Sequence, residues 1–168
     1  MAPLHVFAAQ LALSLIVCAL LGAWFVAPWL RQQSARRALI LLALPHLARH
    51  VSAMSLAPGV AVAATMPPEW AWSVSLGDAT TVVLALATIA ALRTEARAAL
   101  GLAWTFNVVG SLDILHVGLE AARFEIVEHL GAQWYVPTMV VPALIVSHAL
   151  MFAILVRRGG ELRRPESG

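Results

Sequence analysis

Lysine is missing from this chain: all eleven basic residues among its 168 are arginine. Without an ε-amine no Schiff base forms, which excludes a retinal protein and a lysine-dependent aldolase. Cysteine occurs once, as Cys18, so an intrachain disulfide and a Cys-x-x-Cys motif are both excluded. Inside its apolar run Cys18 reads as a small packing residue. Charge is scarce, at 12% of residues against about 25% in soluble domains. The sequence also lacks a glycine-rich phosphate loop and a His-Glu-x-x-His zinc helix. Its arginines sit mainly in loops and the net charge is only +2, which gives nucleic-acid binding no support.

What fills the chain instead is apolar: 61% of residues are hydrophobic. Five stretches stand out, 5–29, 38–60, 72–92, 98–121 and 136–156. Each is long enough for a helix to cross about 30 Å of hydrocarbon. None alternates with period two, and backbone groups in lipid must be satisfied within a segment, so all five are expected to be helices. The expected fold is an all-α, five-helix transmembrane bundle, one domain over residues 1–158. Residues 159–168, polar with three glycines and a proline, are expected to form a disordered cytoplasmic tail. The first stretch lacks a basic n-region and is too long for a signal peptide, so it is taken as a retained span.

Orientation follows from arginine placement. Arg31, Arg36, Arg37, Arg93, Arg97, Arg157, Arg158, Arg163 and Arg164 all fall on one side of a five-span chain. The other side has Arg123 alone, with Glu69, Glu120, Glu125 and Glu128. Arginine-rich loops stay in the cytoplasm, which puts the N-terminus outside and the C-terminus inside. The Ala, Leu, Arg and Val bias suggests a GC-rich bacterial genome, hence a multi-pass protein of the inner membrane. Trp70, Trp72, Trp134 and Tyr135 at one boundary and Trp24 and Trp29 at the other read as an aromatic belt. Phe124, Val127 and Leu130 recur every three residues, so a short interfacial helix ending at Gly131 is expected there.

Polar residues within the spans mark the place for function, because a charge in hydrocarbon is expensive. At helical pitch His46, Arg49 and His50 share one face of the second span. Asp78 lies in the outer half of the third. Asp113 and His116 share a face of the fourth, and Asn107 points toward another helix. Counting depth along each span, Arg49 is central and both aspartates lie about 7 Å outward of the midplane. Arg49 is therefore expected to pair with Asp78, Asp113 or both, with His50 and His116 alongside. The candidate ligand-binding set is His46, Arg49, His50, Asp78, Asn107, Asp113 and His116. His46 and His148 fall at one level and could serve as axial ligands of a haem.

These motifs carry a resemblance. His46-Leu47-Ala48-Arg49, Pro58-Gly59-Val60, Gly77-Asp78, Phe106-Asn107-x-x-Gly110, Asp113, Val136-Pro137-Thr138, Val141-Pro142 and His148 resemble an uncharacterised family of small bacterial multi-pass membrane proteins. The resemblance covers nearly the whole spanning region and implies no catalytic residue. Three function classes follow from the residues. The first is a module, alone or in a homo-oligomer, that binds or transports a small or amphiphilic ligand in the outer half of the bilayer. The second is an intramembrane enzyme acting on a lipid or isoprenoid, with Asp78 or Asp113 as general acid and a histidine as base. The third is a haem protein or an accessory subunit of a membrane complex.

Overall fold

Proline and glycine set where the helices start, widen and stop. The computed structural model describes residues 2–59 and 62–163, and among these it contains helices and turns but no strand. Five of the described helices are long and apolar enough to cross a membrane: α1 (Pro3–Arg31), α2 (Ala35–Leu56), α3 (Pro68–Arg93), α4 (Ala99–Arg123) and α5 (Gly131–Leu162). Each overlaps one of the five apolar stretches. α1 and α3 begin on Pro3 and Pro68, whose missing N–H would have been unbonded in a first turn anyway. α2 opens on Ser34, whose hydroxyl accepts from the Arg37 N–H at 3.3 Å. It closes at Leu56, short of the expected residue 60, which lies outside the described residues. Pro58 and Gly59 follow, and Gly59 takes φ +85°, a conformation open to glycine.

α1 and α5 each contain one wide i→i+5 turn, Gly22–Val26 and Val136–Val140. Each ends two residues before a proline, Pro28 or Pro142. A proline ring collides with the carbonyl four residues back and donates no bond to it; a wider turn relieves the collision.

The pitch of α2 changes partway. Ala35–Ala43 is α-helical, whereas Leu44–Leu56 is a 3-10 helix of thirteen residues, far beyond the usual three or four. At three residues per turn His46, Arg49, Ser52 and Ser55 fall on one line, and these are the residues this segment buries. At α-helical pitch each successive member would swing about 60° off that line. The partners this stripe finds on other helices hold the tighter helix in place.

α2 packs on α3 and α5, α3 on α4, and α4 on α5, so these four close a ring. α1 lies outside it along α5, and Pro3–Leu21 buries none of its residues. The two helices pack closely at Gly22, where a Cβ would stand 2.7 Å from Val146 Cγ1. Farther along, Phe7 meets Trp134 edge to face at 5.3 Å, and the Trp134 indole donates to Gln10 Oε1.

Along its axis the ring has three layers. One apolar cluster, including Leu39, Leu92, Ala99 and Leu155, fills the arginine-rich end. A second, of Val62, Met66, Trp70, Ala71, Val74, Ile126 and Leu130, closes the other. Buried polar residues lie between them, among them His46, Arg49, Asp78, Asn107 and His148.

Three details differ from the sequence-based expectations. Trp70 belongs to the second cluster rather than to a surface belt, while Trp24, Trp29, Trp72 and Tyr135 do face outward. The connection after α4 forms a single 3-10 turn, Ile126–His129, entered through Glu125 in left-handed backbone. Gly131, also at positive φ, opens α5 instead of ending a helix, and Ile126 and Leu130 are the residues buried there. Gly159–Arg163, expected within a disordered tail, forms a 3-10 turn. Arg158 pairs with Glu161 at 2.8 Å, and Glu161 accepts the Ala35 N–H at 3.3 Å. Residues 164–168 of that tail lie outside the described residues.

Candidate functional site

The stripe on α2 points Arg49 into the polar layer, and there its guanidinium is met by two carboxylates. Arg49 Nε donates to Asp78 Oδ1 of α3 at 2.5 Å, and Nη2 to Asp113 Oδ2 of α4. Nη1 lies 3.4 Å from the Gly110 carbonyl of α4. All three nitrogens of the fork are engaged, each with a different acceptor, which fixes the side chain in plane and direction. The Arg49 side chain is 4% exposed, that of Asp78 12% and that of Asp113 9%, so the whole trio is withdrawn from the surface. One guanidinium against two carboxylates leaves one negative charge in excess.

Two glycines make this convergence possible. A Cβ on Gly77 of α3 would come 2.9 Å from Asp113 Cγ, so the carboxylate of α4 occupies the space a side chain would fill. A Cβ on Gly110 of α4 would come 2.7 Å from His148 Cε1 and 2.8 Å from its Nε2. The bare backbone at Gly110 therefore serves two neighbours, Arg49 through its carbonyl and the His148 ring through its Cα face.

Below the triad lies a second polar group. His46 and His148 touch, with ring centroids 4.2 Å apart, and Phe106 stands edge-on to His46 at 5.1 Å. Their hydrogen bonds fix both tautomers. Ser147 has one proton and donates it to Leu42 O at 2.8 Å, so at 3.2 Å its oxygen accepts from His46 Nε2–H. Asn107 turns its amide nitrogen to His148 O at 3.3 Å, so its Oδ1 accepts from His148 Nδ1–H at 2.7 Å. His46 Nδ1 and His148 Nε2 are then lone-pair acceptors, and neither has a partner among the described residues.

The profile of a domain of unknown function (DUF8737) matches residues 6–156. The chain belongs to this family. No curated protein and no solved structure matches it. The match takes in both the charge triad and the histidine pair, so the whole polar layer lies within the family's domain.

The expected site residues do not all converge. Arg49, Asp78 and Asp113 meet, and Asn107 reaches α5 as its direction on α4 implied. His50 does not join them: it is exposed and donates through Nδ1 to Leu47 O at 2.7 Å. The cause is the pitch of α2, because 120° per residue rotates His50 off the stripe that 100° would have placed it on. His116 is exposed as well and bonds Ser73 Oγ of α3 at 3.0 Å. Among the described residues neither aspartate is hydrogen-bonded to a histidine. Haem does not fit between His46 and His148. Axial imidazoles stand on opposite faces of a macrocycle with the iron between them, whereas these rings are in direct contact and held by Ser147 and Asn107.

Several buried polar residues were not anticipated. Ser55 shares hydrogen bonds of 3.0 and 2.8 Å with Gln133, at the start of α5. Ser75 donates to Ser52 O at 3.5 Å, and the Ser52 hydroxyl has no partner among the described residues. The signal for the two α2 serines was present as spacing, since they continue His46 and Arg49 at intervals of three. Gln133 carried none.

Proposed function

We propose that this protein is an integral protein of a bacterial inner membrane, N-terminus outside and C-terminus in the cytoplasm, that binds a small or amphiphilic ligand at the Arg49–Asp78–Asp113 triad. Membrane residence is supported by the large apolar side chains that face outward along the helices, such as Leu13, Leu76, Val83, Leu112 and Leu119. Orientation is supported by the arginine-rich ends of α1, α3 and α5, which the up-and-down order of the helices gathers at one end of the bundle.

The observation that carries the binding reading is the uneven charge of the triad. A structural lock needs one cation and one anion; here a second carboxylate is brought in from a third helix. Buried ion pairs add little to stability compared with apolar packing, so an unbalanced trio between two apolar clusters suits ligand handling better than bracing. Native mass spectrometry tests this reading on protein released from its own membrane. The wild type is expected to retain a non-lipid small molecule that Asp113→Asn loses. A wild type that carries only lipid, identical to the variant, overturns it.

A further inference from the structure

We propose, resting on the binding reading above, that the ligand is a membrane-dissolved ammonium amphiphile, a protonated primary amine on an apolar body, taken up in exchange for one proton. Three observations converge on that class. Arg49, Asp78 and Asp113 together carry one negative charge in excess, which selects a cation over an anion. His46 Nδ1 and His148 Nε2, both buried, offer lone pairs and no proton. A group that reaches these acceptors needs N–H donors to satisfy them.

The third observation is the route. Asp113 lies against the bare backbone of Gly77, where α3 has no side chain, and Leu76 and Leu112 beside it face outward. The Asp113 side chain fills the space Gly77 leaves on α3, between the outward-facing Leu76 and Leu112, while the apolar clusters cover both ends of the polar layer. A single-chain amine lying among lipids reaches Asp113 with its head while its body stays in hydrocarbon.

Charge balance sets the exchange. The charged and titratable groups around the excess negative charge are His46 and Arg49 on α2, Asp78 on α3, Asp113 and His116 on α4, and His148 on α5. The proposed exchange places one proton on Asp113 while the site is empty. The ammonium replaces it, so one carboxyl O–H bond breaks, one proton leaves to water, and the amine keeps its own three protons. Binding then weakens as the pH falls, because protons compete for the same charge.

The test uses wild-type protein in phosphatidylcholine nanodiscs, with empty nanodiscs as the baseline for partitioning. Decylamine, decyltrimethylammonium and decanoate are titrated while the unfolding midpoint and the proton release into weak buffer are followed. Decylamine is expected to raise the midpoint, to release about one proton per ammonium bound, and to bind at least about tenfold tighter than the trimethylated analogue, which has no N–H. Decanoate is expected to leave the protein unchanged. Asp113→Asn should abolish the proton release, and the comparison of probes on the wild type stands even where that variant is unstable. Equal binding of the trimethylated analogue overturns the donor requirement, and binding without proton release overturns the exchange. Preference for decanoate overturns the cationic class while leaving a binding site in place. Failure of all three probes overturns the inference; the binding reading falls with it only where native mass spectrometry also finds no retained molecule.

Discussion

Removing one member of a buried charge trio strands the others. Arg49→Ala leaves two carboxylates facing each other in a water-poor interior, and Asp78→Asn or Asp113→Asn deprives the guanidinium of one of its two anions. Arg49→Ala is expected to destabilise by about 3–5 kcal/mol, read from thermal unfolding in detergent. Because Arg49 bonds both aspartates, double-mutant cycles should give coupling of roughly 1–3 kcal/mol for each pair; strict additivity in both contradicts the triad. The glycines supply a second contrast. Gly77→Ala and Gly110→Ala should each destabilise by about 1–3 kcal/mol, since a Cβ there meets Asp113 or His148. Gly101 and Gly118 on the same α4 have open space around them. Alanine at either should be neutral or stabilising by up to about 1 kcal/mol. Equal effects at all four positions would contradict the close approach of α3, α4 and α5. That Arg49 would find the aspartates was legible from sequence, because a charge midway along an apolar span has few ways to be satisfied. The Ser55–Gln133 pair was not, because neutral side chains are under no such compulsion.

At the level of elements, the lengths of the apolar runs located all five helices, since span length is fixed by rise per residue. Helix pitch is a different matter. The residues from Leu44 to Leu56 suit an α-helix as well as a 3-10 helix, and only the partners of His46, Arg49, Ser52 and Ser55 decide between them. A reading at 100° per residue therefore placed His50 in the site, and 120° takes it out. The difference is measurable. A nitroxide scan from 44 to 56, in a chain whose Cys18 is replaced by alanine, should show oxygen accessibility with minima at 46, 49, 52 and 55. Minima recurring every 3.6 residues, with 50 protected, would contradict the tighter helix. By the same argument His50→Ala should leave the unfolding midpoint nearly unchanged. His46→Ala removes the ring that packs on Phe106 and His148 and should lower it.

For the whole molecule, the three-layer core explains how charge sits inside an apolar bundle: each end is sealed, and the polar layer satisfies most of its groups internally. The arginine-rich end is stitched together by polar contacts. Arg36 donates to Leu92 O at 2.8 Å, and Arg158 reaches Gln33 O at 2.9 Å and Glu161. The ordered turn Gly159–Arg163 was hidden in the sequence, because Glu161 within it is held by Ala35, which is distant in the chain. A reporter fused after Gly168 should be active as a cytoplasmic protein and inactive as a periplasmic phosphatase; the reverse would contradict the proposed orientation. The central claim is that the triad exists to bind rather than to brace. Replacing it as a unit by Arg49→Met, Asp78→Leu and Asp113→Leu separates the two, because apolar replacement of a buried ionic group is often neutral or stabilising. Native mass spectrometry of that folded triple variant, beside the wild type, is the most direct measurement. A variant that is as stable as the wild type yet carries no retained small molecule is the result expected here. A variant that keeps the same bound mass as the wild type would contradict it.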